Sequence, residues 1–197
     1  MQDEQDQDIR DIRAVHAVLQ GRHERFREIV NRYTGQLYSL SFRMTGSQED
    51  AEDAVQEIFS RAFRQLSSFD TDRRFFPWLY TVALNYLRSR DRSAARRHGR
   101  QVLSLDDTLE HLVSSPDRNQ PEQKMLQREA GRALAKALKN LRPEHREVFV
   151  LRHMEGHSGR DVAEMLSIPE NTVKTYARRA RTKLRTLIAG GGAESET

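Results

Sequence analysis

Apolar residues recur three and four positions apart along most of this chain, and this spacing constrains the fold more than any other feature of the sequence. The clearest example lies between residues 51 and 66, where the apolar positions are Ala51, Ala54, Val55, Ile58, Phe59, Ala62, Phe63 and Leu66. Such spacing places apolar side chains along one face of an α-helix. No segment shows the alternation that is typical of a half-buried strand, so the sequence predicts an all-α fold.

The composition excludes several classes of protein. None of the 197 residues is cysteine, which excludes disulfides, thiol catalysis and thiolate zinc sites, and 31% of the residues are charged. No run of eighteen apolar residues is present, and the polar N-terminus MQDEQDQDIRD resembles neither a signal peptide nor a transit peptide. We therefore expect a soluble, cytoplasmic protein.

The helical pattern is interrupted between residues 93 and 122, where polar residues and two prolines replace the apolar period. We interpret this segment as a flexible linker between two small helical domains, at 21–92 and 123–188. Residues 1–20 form an acidic N-terminal extension in this interpretation, and 189–197 a disordered tail. Several helix starts are also predicted: Ser47 caps one helix, Pro77 lies in the first turn of another, and Pro143 begins a third.

Residues 161–185, DVAEMLSIPENTVKTYARRARTKLR, have the spacing of a helix-turn-helix. The required small residue is Ala163, and the apolar positions are Val162, Leu166, Ile168, Val173 and Tyr176. Ser167 occupies the turn position where glycine is frequent, and Pro169 precedes the second helix. The alternative is a buried pair of helices with a solvated basic face.

The second helix of this unit carries a concentrated positive charge. If Val173 and Tyr176 face inward, the helical period points Lys174, Arg178 and Arg181 outward. Six basic residues and no acid occur between positions 174 and 185. Such a face can contact phosphates and guanine edges in the major groove of duplex DNA, with an affinity that falls as salt rises.

Aromatic residues and arginines are interleaved in the first domain, in FDTDRRFFPWLYTVALNYLRSR at 69–90. Unpaired bases need flat rings for stacking and positive charge for the backbone, and Phe75 and Phe76 beside two arginines can provide both. The amide of Asn85 can pair with an exposed base edge. For Trp78, Leu79 and Val82 the alternative is ordinary core packing, which aromatic residues at helical spacing usually serve.

The segment SQEDAEDAVQE at 47–57 holds five acids and no base. An acidic helix face of this kind can meet a basic protein partner, although a solvated face without a partner often has the same appearance. A metal site is not expected here. It is not expected at His153 and His157 either, because they flank Gly156, where a helix ends, and no cysteine is available.

The order of these motifs resembles that of the bacterial extracytoplasmic-function (ECF) sigma factors of the sigma-70 family. The resemblance covers about residues 21–92 and 122–187: QEDAEDAVQEIFSRAF, then FFPWLYTVALNYLRSR, then a polar linker, then the helix-turn-helix. It implies a transcription factor, typical of stress responses, that binds core RNA polymerase and directs initiation. In that family the first domain docks on polymerase and opens the promoter −10 element, and the second recognises the −35 element as duplex.

The resemblance also implies roles for individual residues. Contacts to the −35 duplex would come from Arg152, Asn171, Thr172, Lys174, Thr175, Arg178, Arg179 and Arg181. Contacts to the −10 strand would come from Arg73, Arg74, Phe75, Phe76, Trp78, Tyr80, Asn85 and Arg88. Polymerase would be bound, on its β′ clamp helices, by Asp50, Glu52, Asp53, Gln56, Glu57 and Phe59.

Further partners follow from the same resemblance. The second domain would meet the β flap of polymerase, and an anti-sigma factor is expected to hold the chain. The linker acids Asp106, Asp107, Glu110 and Asp117 would reach toward the polymerase active centre, with a contact-free tether as the alternative. The resemblance implies no cofactor and no catalytic site. A stand-alone helix-turn-helix regulator is the rival function, but it leaves the FFPWLY segment and the acidic helix without a role.

Overall fold

A computed structural model describes the backbone of residues 2–97, 134 and 137–191, and the side chains of 6–92, 134 and 137–188. Its helices are α1 Gln2–Leu19, α2 Phe26–Thr45, α3 Gln48–Gln65, α4 Phe75–Arg97, α5 Pro143–Phe149, α6 Gly159–Leu166 and α7 Glu170–Gly191. A π-helical turn, Val150–Met154, follows α5, and short 3-10 turns occupy His23–Arg25 and Leu66–Ser68. No strand occurs within these ranges, so the all-α prediction is confirmed.

The predicted helix starts agree with the structure. Ser47 caps α3, because its Oγ accepts a hydrogen bond from the Asp50 backbone N–H at 3.3 Å. Pro143 is the first residue of α5, and Pro77 is the third residue of α4, where a missing N–H costs no helical hydrogen bond. Helix α2 ends at Gly46, whose φ of 74° is a left-handed conformation that favours glycine.

The first domain is a bundle of α1 to α4 around an apolar core. Its most deeply buried side chains include Ile29, Tyr33, Leu37, Leu40, Ile58 and Leu79. Helix α1 belongs to this core, since Ala14, Val15 and Val18 are buried in it. Most of the N-terminal extension expected at 1–20 is therefore part of the first domain, because its apolar positions face the other helices.

A buried carboxylate fixes α1 against α2. Asp11 is fully buried, where it accepts hydrogen bonds from the Arg32 guanidinium and the Tyr33 hydroxyl. The same tyrosine hydroxyl accepts a hydrogen bond from the Gln7 amide at 3.0 Å. Burial raises the pKa of Asp11 in spite of these partners.

The second domain contains α5, α6 and α7. Residues 137–139 are helical, and Ala137, Leu138 and Leu141 pack on Ala180 and Leu184 of α7. Helix α7 continues to Gly191, beyond the expected boundary at 188, and α4 continues to Arg97, five residues into the expected linker. The linker acids at 106–117 and the tail from residue 192 lie outside the described residues. The domain boundaries stay predictions.

The two domains pack against each other. Val148, Leu151, Val162 and Met165 of the second domain belong to the same apolar cluster as the core of the first. Helix α4 provides much of the first domain's side of this contact, which is strongest against α6. None of the helices in the described ranges combines the length and apolarity needed to cross a membrane.

Candidate nucleic-acid and partner interfaces

The helix-turn-helix predicted at 161–185 is present. Helix α6 ends in a left-handed residue, Ser167, with φ 53° and ψ 44°. The backbone N–H groups of Ser167 and Ile168 donate to the carbonyls of Glu164 (3.1 Å) and Ala163 (3.0 Å), which is the hydrogen-bond pattern of a Schellman turn. Val162 and Val173 are buried between the two helices. A serine thus adopts the backbone conformation that usually favours glycine.

The outer face of α7 is basic and open. Lys174 is 69% exposed, with an ion pair at 3.6 Å to Glu170, one turn earlier. The exposed or half-exposed residues among those predicted to contact the −35 duplex on this helix are Asn171, Thr172, Lys174, Thr175, Arg178, Arg179 and Arg181. Tyr176 faces the other way, and its ring lies 4.9 Å from that of His145. The structure therefore brings these polar residues together on one solvent face.

Arg152, the remaining residue predicted to contact the −35 duplex, lies outside α7 and makes a different kind of contact. Its Nη1 donates to the His157 backbone carbonyl, so it closes the turn that leads into α6. Ser158 then caps α6 by accepting from the Asp161 N–H at 3.1 Å. In this structure Arg152 shapes the approach to the helix-turn-helix.

The aromatic residues predicted for the −10 strand differ in their exposure. Phe75 and Tyr80 are fully buried, and Phe75 packs on Phe69 and Trp78 with ring centroids 5.4 Å away in each case. Phe76 and Trp78 are half-buried. Phe75 and Tyr80 thus serve as core residues in this conformation, and the rings nearest the surface are those of Phe76 and Trp78.

The polar residues of the same set are held by acids. Arg74 donates to Asp8 at 3.0 Å and to Asp161 at 2.6 Å, whereas Arg73 is exposed and pairs with Asp70 at 3.4 Å. These contacts raise the pKa of Arg74, although its burial acts in the opposite direction.

Helix α4 holds the remaining polar pair. Arg88 donates two hydrogen bonds to the Glu147 carboxylate, at 2.7 and 2.6 Å. Asn85 is exposed, and its Oδ1 accepts a long hydrogen bond of 3.4 Å from Arg88. The side-chain amide of Asn85 is therefore open to solvent.

The acidic face of α3 points away from the core, which the opposite face of the same helix contacts. Glu52, Asp53 and Gln56 are exposed, as predicted for a partner-binding surface, but Phe59 is only 7% exposed and packs in the core. Asp50 is partly engaged, since Arg90 of α4 hydrogen-bonds both its carboxylate and its carbonyl. The exposed acids lie beside a shallow groove lined by Asp53, Gln56, Glu57, Ser60, Arg61 and Tyr86.

The sequence interpretation missed three residues of this groove: Ser60, Arg61 and Tyr86. The Arg61 guanidinium lies 4.7 Å above the Tyr86 ring and donates to Glu57 at 2.7 Å, which lowers the pKa of Glu57. Arg61 follows Glu57 by four positions, so this pair could have been found from helical spacing. Tyr86 could not, because it comes from another helix.

His153 and His157 have separate environments. His157 lies against the rings of Phe76 and Tyr80, with centroid distances of 5.3 and 5.1 Å, and its pKa is lowered by burial. His153 is exposed beside Phe149. Among the described residues no group of three potential metal ligands is clustered.

Comparison with known proteins gives a consistent result for both domains. Residues 29–101 match the family Sigma-70 region 2, and residues 131–184 match Sigma-70, region 4. The chain is 31% identical over 173 residues to the ECF RNA polymerase sigma factor SigW of Bacillus subtilis, covering 87% of this chain and 92% of that protein. It is also 31% identical to the ECF RNA polymerase sigma-E factor of Haemophilus influenzae, covering 88% and 93% of the two chains.

Two solved structures have a similar fold. One is CnrH in complex with the cytosolic domain of CnrY, with a TM-score of 0.64, 27% identity, and coverage of 92% of this chain and 98% of that chain. The other is the sigma factor RpoE in complex with the anti-sigma factor NepR from Bartonella quintana, with a TM-score of 0.62. That chain is 23% identical, and the match covers 83% of this chain and 96% of that one.

Proposed function

The chain belongs to the ECF sigma factors of the sigma-70 family. We propose that separate surfaces of it bind core polymerase, the −10 strand and the −35 duplex during promoter-specific initiation. The main observation is that one chain carries matches to both sigma regions, in order, with an exposed acidic face in the first and an exposed basic face in the second. A stand-alone helix-turn-helix regulator would need only the second. We infer that the chain acts as a transcription factor, without catalysis of its own, in the cytoplasm where polymerase works.

We propose that the acidic face of α3 docks on the β′ clamp helices of core polymerase. Glu52, Asp53 and Gln56 are exposed and close to one another along the helix. Charge of one sign on this face would orient the chain and speed its association with a basic partner surface. Arg61 and Tyr86 form the rim of the same groove, and the stacked guanidinium would hold the Glu57 carboxylate in place.

We propose that the start of α4 captures the −10 strand. Stacking of a base on an aromatic ring contributes about 1–3 kcal/mol, which offsets the cost of extracting that base from the duplex. Phe76 and Trp78 are the candidate stacking surfaces, and Asn85 is the candidate for pairing with a base edge. Arg73, Arg74 and Arg88 would then contact the backbone of the strand.

We propose that α7 reads the −35 element in the major groove. Asn171 and Lys174 lie near its N-terminus, where a recognition helix approaches base edges, and Arg178 and Arg181 follow along the same face. Helix α7 adds positive charge for phosphates as well, which predicts a steep dependence on salt. A contact between the second domain and the β flap of polymerase would further stabilise the complex on the promoter.

We also propose an anti-sigma partner. Both similar structures contain the matched chain bound to a second protein, CnrY in one and the anti-sigma factor NepR in the other. Such a partner would keep the sigma factor from polymerase until a signal releases it.

Transcription with purified core polymerase on a supercoiled promoter library tests the proposal. We expect specific transcripts only when the chain is added. If duplex binding occurs without polymerase and no transcript is specific, the chain is a stand-alone regulator and the proposal is wrong.

A further inference from the structure

A positively charged side chain lies within the acidic face of α3. The Nε of Arg61 donates to Oε1 of Glu57 at 2.7 Å, and the same guanidinium lies 4.7 Å from the centre of the Tyr86 ring. Tyr86 belongs to α4, the helix whose first turns are proposed to capture the −10 strand. One guanidinium therefore joins an acid of the proposed polymerase-binding face to a helix with a different proposed partner.

Long-range attraction to a basic partner does not explain why a cation lies here. Acids on such a face speed association with a basic surface, and each cation among them reduces that attraction. Arg61 and Arg64 donate to the same oxygen of Glu57, at 2.7 and 3.2 Å, so two cations compensate the charge of this one acid. What the pairing provides is a fixed orientation of the Glu57 carboxylate.

The Tyr86 ring restricts the arginine that makes this pair. The side chains of Arg61 and Glu57 are 39% and 38% exposed, and an ion pair so exposed usually contributes little, because two long side chains lose their freedom. A guanidinium that is already stacked on a ring loses less freedom when it forms the pair. Arg64 is 61% exposed and stacks on no ring among the described residues, so it lacks this support.

Helix α4 also holds the other end of the acidic face. Arg90 donates to the Asp50 carbonyl at 3.0 Å and pairs with the carboxylate of the same residue. As α3 runs from Asp50 to Glu57, the residues of α4 that reach it run backward, from Arg90 to Tyr86. Two points on α4 therefore support the acidic face of α3, and the exposed acids lie between these points.

The side of the groove that a partner would meet stays open. Both arginines donate to one oxygen of Glu57, and within the described part of the chain no hydrogen bond or ion pair engages Asp53. Asp53 precedes Glu57 by four positions, so both carboxylates line the same groove. A partner would thus meet one free carboxylate and one whose position is set by Arg61.

We propose that Arg61 is a positioning residue for polymerase binding and that Tyr86 acts through it, because the stacked guanidinium fixes the Glu57 carboxylate in the groove where polymerase docks. Two helices then build the polymerase-binding face, and a substitution on α4 changes the lifetime of the complex with polymerase. This inference rests on the proposed docking of α3.

The dissociation rate of the full-length chain from core polymerase, measured by surface plasmon resonance, tests the proposal. Arg61→Ala removes a cation from an acidic face, so charge alone predicts faster association and a longer-lived complex. The positioning role predicts a shorter-lived complex, with dissociation about fivefold faster. Arg64→Ala is the matched control, since it removes the same charge from the same helix and the same acceptor oxygen. It should not speed dissociation.

Variants of Tyr86 separate the role of the ring face from that of apolar packing. Tyr86→Phe keeps the ring and should dissociate like the unaltered chain, whereas Tyr86→Leu keeps an apolar side chain without the ring and should behave like Arg61→Ala. Arg61→Lys keeps the charge but loses the planar fork, so it should also dissociate faster. Urea unfolding of each variant verifies that the chain is folded.

If Arg61 acts through Glu57, the effects of the two substitutions should not add. In a Glu57→Gln background, Arg61→Ala should cause no further increase in the dissociation rate. Full additivity, or equal dissociation of Arg61→Ala and Arg64→Ala, would overturn the proposal.

Asp53→Lys distinguishes this failure from a failure of the proposed docking. If Asp53→Lys slows association while Arg61→Ala and Arg64→Ala dissociate equally, α3 docks on polymerase and the positioning role of Arg61 is wrong. If none of these substitutions changes either rate, α3 is not the docking helix and both proposals are wrong.

Discussion

Arg74 links the two domains through Asp161: its Nη1 lies 2.6 Å from Oδ1 of that residue, while its Nε lies 3.0 Å from Oδ2 of Asp8. One guanidinium thus joins the N-terminal helix and the helix-turn-helix. Burial opposes the charged form of Asp161, but hydrogen bonds from Ser158 and Arg74 outweigh it and lower its pKa. A phosphate approaching Arg74 would have to replace two carboxylates.

Acidification should weaken the packing between the two domains through His157. Burial lowers its pKa below the ordinary 6.5, while Glu155 and Asp161 act in the opposite direction. Tyr80 also faces the ring, and Arg152 holds its backbone carbonyl. A histidine with a lower pKa in the folded chain binds fewer protons there than in the unfolded chain, so its contribution to stability is fully present above 6.5 and is lost as pH falls below it. The midpoint of urea unfolding should therefore fall from about pH 7 toward pH 5.

The control for His157→Phe is His153→Ala, because His153 is exposed. It should keep the pH dependence, whereas His157→Phe should remove it. A pH dependence that survives in His157→Phe would assign the effect to other groups.

Asp11→Ala should destabilise the first domain. Its removal leaves Arg32 and Tyr33 without the carboxylate that they share, and loss of one partner of a buried pair costs about 3 kcal/mol. Urea unfolding followed by circular dichroism measures the loss, with exposed Asp6→Ala as the control. Equal midpoints for the two variants would show that α1 contributes little to stability.

Asp53→Lys should slow association with core polymerase. Asp53 is exposed on the acidic face, and reversal of its charge opposes attraction to a basic surface. Surface plasmon resonance at two salt concentrations measures the association rate, and Glu24→Lys provides the same change of charge outside α3. If both substitutions slow binding equally, the effect comes from net charge and α3 is not the docking helix.

Asn85→Ala should reduce promoter opening by about tenfold, if its amide pairs with a captured base. Permanganate reactivity of thymines in the −10 region measures opening, and gel filtration with core polymerase verifies assembly. Asn31→Ala, an exposed asparagine of α2, should open promoters normally. Unchanged opening in Asn85→Ala would remove this residue from the −10 site.

Lys174→Ala and Arg178→Ala should each weaken duplex binding by the holoenzyme and lower the slope of log affinity against log salt by about one. Both side chains are exposed, so folding should be preserved. Arg27→Ala, an exposed arginine of α2, is the control. A slope that changes equally in all three variants would place the duplex contact elsewhere.

Local features could be predicted because neighbouring residues decide them. The cap at Ser47, the helix start at Pro143 and the spacing of the helix-turn-helix all depend on residues a few positions apart. The basic face of α7 is set in the same way by the helical period. The burial of Phe75 and Tyr80 could not be predicted, since a ring at helical spacing fits either a core or an exposed binding surface.

The sequence by itself determined the all-α class, the order of the two sigma regions and the charge on the faces of α3 and α7. Only the tertiary structure decided that α1 belongs to the first core, that Arg61 stacks on Tyr86, and that Arg74 and Arg88 meet Asp161 and Glu147. The physical reason is range. Hydrogen bonds and periodicity within a helix act over four residues, whereas Arg88 and Glu147 are 59 residues apart and meet only because two packed helices bring their charges together.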